Sequence, residues 1–291
     1  MTSTQLPDNR GRWGDTDELG ALNLVDDAAR ARAASAVQVG RWVSLALSTD
    51  PASMLGGPFA PPSPPSPPVQ QALLHTGTPP MGMAEVLTVT PHHPALTHID
   101  ALVHMPIDGV VFPTVPLGEA VTGGVVTHGS TSAVAAGIVT RGVLLDLAPG
   151  GRLPSAHPIT ADDLYAAEAR SGVRVEPGDA LVVRTGWTFG WSADEQGPGV
   201  TVDAVRWLHD RDVAIWAGDV GDSFPPLDQD VPMPLHMVGL ARLGMALIDG
   251  VTVEELAQVS AELGCPVFML VVAPPRIGGL TGIPVNPVAV F

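Results

Sequence analysis

The sequence predicts an α/β chain built on a mixed sheet. Three observations carry this. Short apolar runs, several rich in β-branched residues, recur along 291 residues and are bounded by Gly, Pro or Asp. Fewer segments have helical periodicity. Strands and helices do not alternate regularly, which argues against a Rossmann arrangement.

The elements follow in chain order. The first 30 residues are polar and turn-rich, and AARARAASA then reads as a short helix. Arg41–Ser48 reads as a strand. The stretch 51–70 is too rich in proline for a helix or sheet interior and is expected to be a surface loop or arm over the core or a neighbouring subunit. Further strands are expected at Ala84–Thr90, Thr97–His104, Val143–Leu147, Ala180–Thr185, Val213–Ala217, Met245–Ile248, Val267–Ala273 and Val288–Phe291. Helices are expected at Thr160–Ser171, where Thr160 and Asp163 have capping-box spacing, at Val202–His209 and at Thr252–Leu263. No interior stretch separates two cores. One domain spanning 1–291 is expected, with an N-terminal extension (1–40) and the Pro-rich arm.

Composition excludes several functions. The formal net charge is −16, and all 14 basic residues are arginine. An acidic chain repels phosphate backbones and anionic lipid, so neither nucleic acid nor membrane is an expected partner. Without lysine there is no Schiff-base or P-loop lysine. The single cysteine, Cys265, precludes an intrachain disulfide and reads as a buried, inert thiol. No apolar leader or membrane span is visible, so a cytoplasmic protein is expected.

The chemistry is concentrated in PHHPALTHIDALVHM, where His92, His93, His98 and His104 surround Asp100. If Thr97–His104 is extended, His98, Asp100, Leu102 and His104 share one face, with His98 and Asp100 about 7 Å apart at their bases. Their neighbours Leu96, Ile99, Leu102 and Val103 are apolar, which argues for burial. Several buried imidazoles and a carboxylate without partners would cost on the order of several kcal/mol. A cation removes that cost, and imidazole nitrogen with carboxylate oxygen suits zinc or manganese.

The segment THIDALVH resembles the signature of the cyclase family, which includes kynurenine formamidases and isatin hydrolases. The resemblance extends to RWGDTDELGALN (Arg12–Asn23), IVTRGVLLDL, ITADDL, VEPGDALVVRTGW and the closing PVNPVAVF. It implies a swivelling β/β/α fold with a central barrel-like mixed sheet, a homodimer or homotetramer, and a small-molecule substrate. It implies one or two divalent ions, zinc or manganese, held by His92, His98 and Asp100, with the distant His236 and Asp249 completing the set. His93 competes with His92 for the upstream position. Asp249 stands where the family more often has Glu, one methylene longer. His104 is the implied general base. The implied reaction is metal-assisted hydrolysis of a C–N bond in an amide, N-formyl group or lactam. The alternatives are ring closure in natural-product biosynthesis on the same scaffold, and a binding module without activity. Asp219, Asp222, Arg184, Thr185 and Trp187 are secondary candidates for the pocket.

Overall fold

The structure is a computed structural model that describes residues 6–53, 67–79, 81–188 and 195–291. Most of the Pro-rich stretch therefore lies outside the described residues. The labelled elements are α1 (Asp27–Ser35), β1 (Trp42–Ser44), β2 (Val69–Thr76), β3 (Gly82–Val89), β4 (His98–Asp100) and β5 (Ile138–Asp146). They continue with α2 (Ala161–Ser171), β6 (Ala180–Arg184), α3 (Val202–Asp210), β7 (Ile215–Gly218) and β8 (Ala246–Asp249). The last four are α4 (Glu254–Leu263), β9 (Val267–Val272), β10 (Gly282–Pro284) and β11 (Val288–Val290).

Nine of these strands form one sheet in the order β1-β11-β9-β5-β6-β7-β8-β4-β10. The four central strands β5 to β8 run parallel, and the flanking pairs are antiparallel. The sheet curls into a half-barrel flanked by helices, the mixed α/β fold expected from the sequence. Parallel strands are covered on both faces, so β6 reads ALVVR and all five residues are buried. Alternation sends Val143, Leu145, Leu181, Val183 and Leu247 to a core that includes Leu164 of α2 and Val205 and Leu208 of α3. Leu144, Val182, Ala217 and Ile248 point the other way, to a core that includes Leu256 and Val259 of α4. Each fully buried aliphatic side chain of this kind stabilises the fold by about 1.5–3 kcal/mol.

The helix boundaries follow local chemistry. Thr160 and Asp163 form the reciprocal capping box expected for α2, and Gly172, at φ 68°, ends that helix in the left-handed region. Thr201 caps α3 through the Ala204 amide. Residues 6–40 pack against the core: Asn9 and Ala21 donate backbone hydrogen bonds to the carbonyls of Arg242 and Gly244.

Two expectations need correction. The strand drawn from Thr97 to His104 covers only His98–Asp100, and Leu102–His104 form a 3-10 turn. Leu102 and Val103 turn into two separate apolar clusters, and the Val103 amide bonds the Gly129 carbonyl instead of a neighbouring strand. The end of the Pro-rich stretch is also ordered as sheet. Val69 and Gln70 open β2, which pairs with β3 along its whole length. No helix among the described residues is long and apolar enough to cross a membrane.

Candidate metal centre

The short strand β4 is held between β8 and β10, antiparallel to both. Ile99 is buried on one face, and the period of two sends His98 and Asp100 together to the other. Register then places Asp249 opposite His98 and Gly282 opposite Asp100. The 3-10 turn after Ala101 brings His104 back towards the same point, which continued extension would not require.

Asp100 is the centre of the cluster, and its side chain is 0% exposed. One carboxylate oxygen, Oδ1, lies 3.0 Å from His92 Nδ1 and 3.5 Å from His98 Nε2. The other, Oδ2, lies 3.4 Å from His236 Nε2. Yet among the described residues neither oxygen, nor His92 Nδ1, has a partner in hydrogen-bonding geometry. Buried polar atoms are normally paired, and unpaired carboxylate oxygens and an imidazole nitrogen gathered in this way form a set that could hold a cation.

The outer ring nitrogens explain why the inner ones face inward. His98 Nδ1 lies 2.8 Å from the Leu96 carbonyl oxygen, which can only accept, so Nδ1 carries a proton and Nε2 is turned towards Asp100. His92 Nε2 lies 2.9 Å from Thr281 Oγ1. His236 Nδ1 donates to Asp222 Oδ2 at 2.8 Å, and Asp222 also accepts the Leu235 and His236 amides. His236 enters from a π-helical turn, Leu235–Leu240, a geometry often found at functional sites. The sequence did not forecast this turn.

Among the described residues, two groups of ligand atoms converge closely enough to hold an ion: His92, His98 and Asp100, and Asp100, His104 and His236. Asp100 belongs to both. Asp249 lies beside them, with Oδ2 3.6 Å from His236 Nε2, but in neither group. His93 faces its own turn, accepting the Ala95 amide, so His92 alone of that pair reaches the cluster.

The electrostatics are those of a negatively biased pocket. Burial opposes charge on His236, but Asp100, Asp222 and the nearby Asp249 push its imidazolium up to about 11. Burial pushes Asp249 up to about 6. Burial also opposes charge on Asp100, but contacts to His236 and His92 hold its carboxyl below the usual range. His104 differs. Burial, with the neighbouring imidazoles, lowers it to about 4 against the pull of Asp100, leaving a neutral ring at pH 7. That ring stacks on His92 with centroids 3.8 Å apart and an interplanar angle of 12°.

The secondary candidates divide. Asp222 belongs to the site as the partner of His236. Asp219 is instead committed to the Thr185 and Gly186 backbone amides and the Thr185 hydroxyl. Arg184 pairs with Asp146 and Glu254, and Trp187 Nε1 donates to the Leu153 carbonyl. A cavity of about 370 Å³ opens above the cluster, lined by His92, His98, His104, His236 and Asp249 together with Phe224 and Met233. Thr281, Phe224 and Met233 had no sequence signal, because each sits in an irregular loop whose course depends on tertiary packing.

Two substitutions test this arrangement. Asp222→Ala should lower cation affinity about 10–100-fold although His236 remains, because the ring loses its orienting acceptor. Calorimetric titration with zinc or manganese measures this, and unchanged affinity would reduce Asp222 to a backbone cap. A Cβ on Gly282 would lie 2.5 Å from His92 Cε1 and 2.9 Å from its Nε2. Gly282→Ala should therefore displace the His92 ring and weaken the same affinity by about tenfold or more.

Fold and cluster together define an α/β protein with a candidate divalent-metal centre on the short strand beside its parallel core. The chain belongs to the cyclase family, whose model, described as Cyclase, matches residues 43–222. A solved structure described as a novel cyclase is 27% identical, with a TM-score of 0.80 and coverage of 99% of this chain and 100% of that one. Isatin hydrolase A from Labrenzia aggregata, solved with benzyl benzoate, shares the fold at 20% identity and a TM-score of 0.59, over 88% of this chain and 94% of that one. The enzyme from Ralstonia solanacearum is 22% identical with a TM-score of 0.59, over 86% and 91%. No curated protein matches the chain.

Proposed function

We propose that the chain is a metal-dependent hydrolase that cleaves the C–N bond of an amide, N-formyl group or lactam. One observation carries the reading: unpaired ligand atoms of His92 and Asp100 converge with His98 and His236 at the floor of a cavity, with a neutral imidazole beside them. His92, His98 and Asp100 would hold the cation, with His236 and, more loosely, Asp249 alongside. Nitrogen and oxygen donors of this kind suit zinc or manganese. A bound divalent cation lowers the pKa of water and polarises a carbonyl.

His104 is the proton carrier in this scheme. Its ring is neutral at pH 7 and lies against the cluster, so it can accept the proton of the attacking water. Oxygen then adds to the acyl carbon, the C–N bond breaks, and His104 returns the proton to the departing nitrogen. The products are a carboxylic acid, which ionises by giving up its remaining proton to solvent or to the amine, and an amine. Asp222 and the Leu96 carbonyl keep the inner nitrogens of His236 and His98 directed at the cluster throughout.

The isatin hydrolases of the same fold make lactams natural first probes. Zinc- or manganese-loaded protein should convert N-formylkynurenine, an isatin-like lactam or a simple ester to a carboxylate with consumption of water. Dehydrative cyclisation of a polyketide-like chain, with release of water and no hydrolysis, would replace this reading with the cyclase one.

The reading includes a homodimer or homotetramer. The β2–β3 hairpin, to which Ala52–Ser53 add a short third strand, exposes Leu73, Leu74, Met83, Val86 and Leu87, a row of apolar side chains that a neighbouring subunit would cover. Sedimentation at the monomer mass would remove this part.

A further inference from the structure

One wall of the cavity above the cluster is held in place by a residue outside it. A single stretch of chain, from Ser223 to Met233, supplies Ser223, Phe224, Pro226, Pro232 and Met233 to the lining. Pro225, Pro226 and Pro232 have no amide to donate, so this stretch cannot tie itself down with a ladder of its own. There is also space on its far side. A second cavity, of about 150 Å³, lies there, lined by Leu227 and Asp228 of the stretch and by Val200 and Val202 of the body. Ser223 and Pro232 line both cavities. Packing alone therefore leaves the wall room to recede, because a void offers it no atoms to rest against.

Gln196 opposes that movement. Its side-chain nitrogen donates to the Pro225 carbonyl at 2.6 Å and to Ser223 Oγ at 3.1 Å. The carbonyl can only accept, so the nitrogen end of the amide must face it. Ser223 Oγ in turn lies 3.1 Å from the Gly197 carbonyl oxygen, to which it can donate. The segment that carries Gln196 is itself anchored. Gly199 and Val200 pair in parallel with Pro158 and Ile159, and the Gln196 carbonyl accepts the Ala156 amide and the Ser155 hydroxyl. Gly199 permits the close approach, since a Cβ there would lie 2.5 Å from Ser223 Cβ.

We propose that Gln196 is a positioning residue that latches the wall forward over the metal cluster and so sets the space a substrate finds there. Its consequence for turnover rests on the hydrolase reading. The latch acts on the wall and not on the metal centre. Asp222, one residue before Ser223, is fixed separately by the Leu235 and His236 amides and the His236 ring. Loss of the two bonds that Gln196 donates leaves the wall to divide its time between the two cavities.

The test uses the zinc-loaded full chain and two variants. Gln196→Met keeps the length of the side chain and removes both donated bonds. Gln196→Glu also keeps the length and turns a carboxylate towards the Pro225 carbonyl. In both, amide hydrogen exchange in residues 223–233 should quicken by about tenfold, with exchange in β6 and β7 unchanged. Zinc content should stay at the level of the parent chain. KM for isatin should rise by about tenfold with kcat unchanged, the pattern of a lost binding contact. Unchanged exchange in 223–233, or faster exchange with an unchanged KM, overturns the proposal. Faster exchange throughout the core, or loss of zinc in step with the rise in KM, also overturns it by making Gln196 a general support. If the parent chain leaves isatin intact, the hydrolase reading falls, and the exchange and zinc measurements decide the latch without it.

Discussion

Asp100→Asn is expected to lower cation affinity by more than about 100-fold, beyond the loss typical of an outer partner, and to abolish turnover with it. The reason lies in the sharing of this carboxylate. Oδ1 faces His92 and His98, and Oδ2 faces His236. Both convergent groups of ligand atoms contain Asp100, so among the described residues no alternative set survives its removal. Asparagine keeps the volume and one oxygen but loses the charge, and its amide nitrogen places hydrogens where lone pairs are required. Elemental analysis after dialysis, with circular dichroism to establish that the fold persists, checks this. A variant that keeps a full complement of metal would remove Asp100 from the centre.

His104→Ala is expected to behave differently, keeping most of the metal while losing about 10²–10⁴-fold in turnover, the range of a positioned general base. Its ring is stacked on His92, and neutral at pH 7 because burial and the surrounding imidazoles outweigh Asp100. A neutral base there can take a proton without first losing one. The opposing possibility is specific: Asp100, His104 and His236 also converge closely enough to hold an ion. Loss of metal in proportion to loss of activity would make His104 a ligand. Metal content and kcat measured on the same preparation separate the two.

How much of this was legible in the sequence depends on the range of the forces involved. The parallel core strands were readable because burial on both faces leaves runs such as ALVVR at Ala180–Arg184. The start of α2 was readable because its capping box is local, Thr160 with Asp163. The pairing of His98 with Asp100 on one face followed from the period of a strand, which needs only three residues to hold. The extension of that strand to His104 failed, because nothing local announces that the Val103 amide will find the Gly129 carbonyl. His236 and Asp222 were visible as candidates, but their hydrogen bond is set by the π-helical turn, a tertiary outcome. The apolar wall of Phe224 and Met233 was not readable, since exposed apolar residues in a Pro-rich loop carry no periodicity.

The most direct measurement is a crystal structure of the zinc- or manganese-loaded protein with anomalous data collected at the metal edge. The account predicts a peak about 2.0–2.2 Å from an Asp100 carboxylate oxygen and from the ring nitrogens of His92 and His98. A loaded crystal with no anomalous peak beside Asp100, or with its only peaks on surface carboxylates, would contradict it.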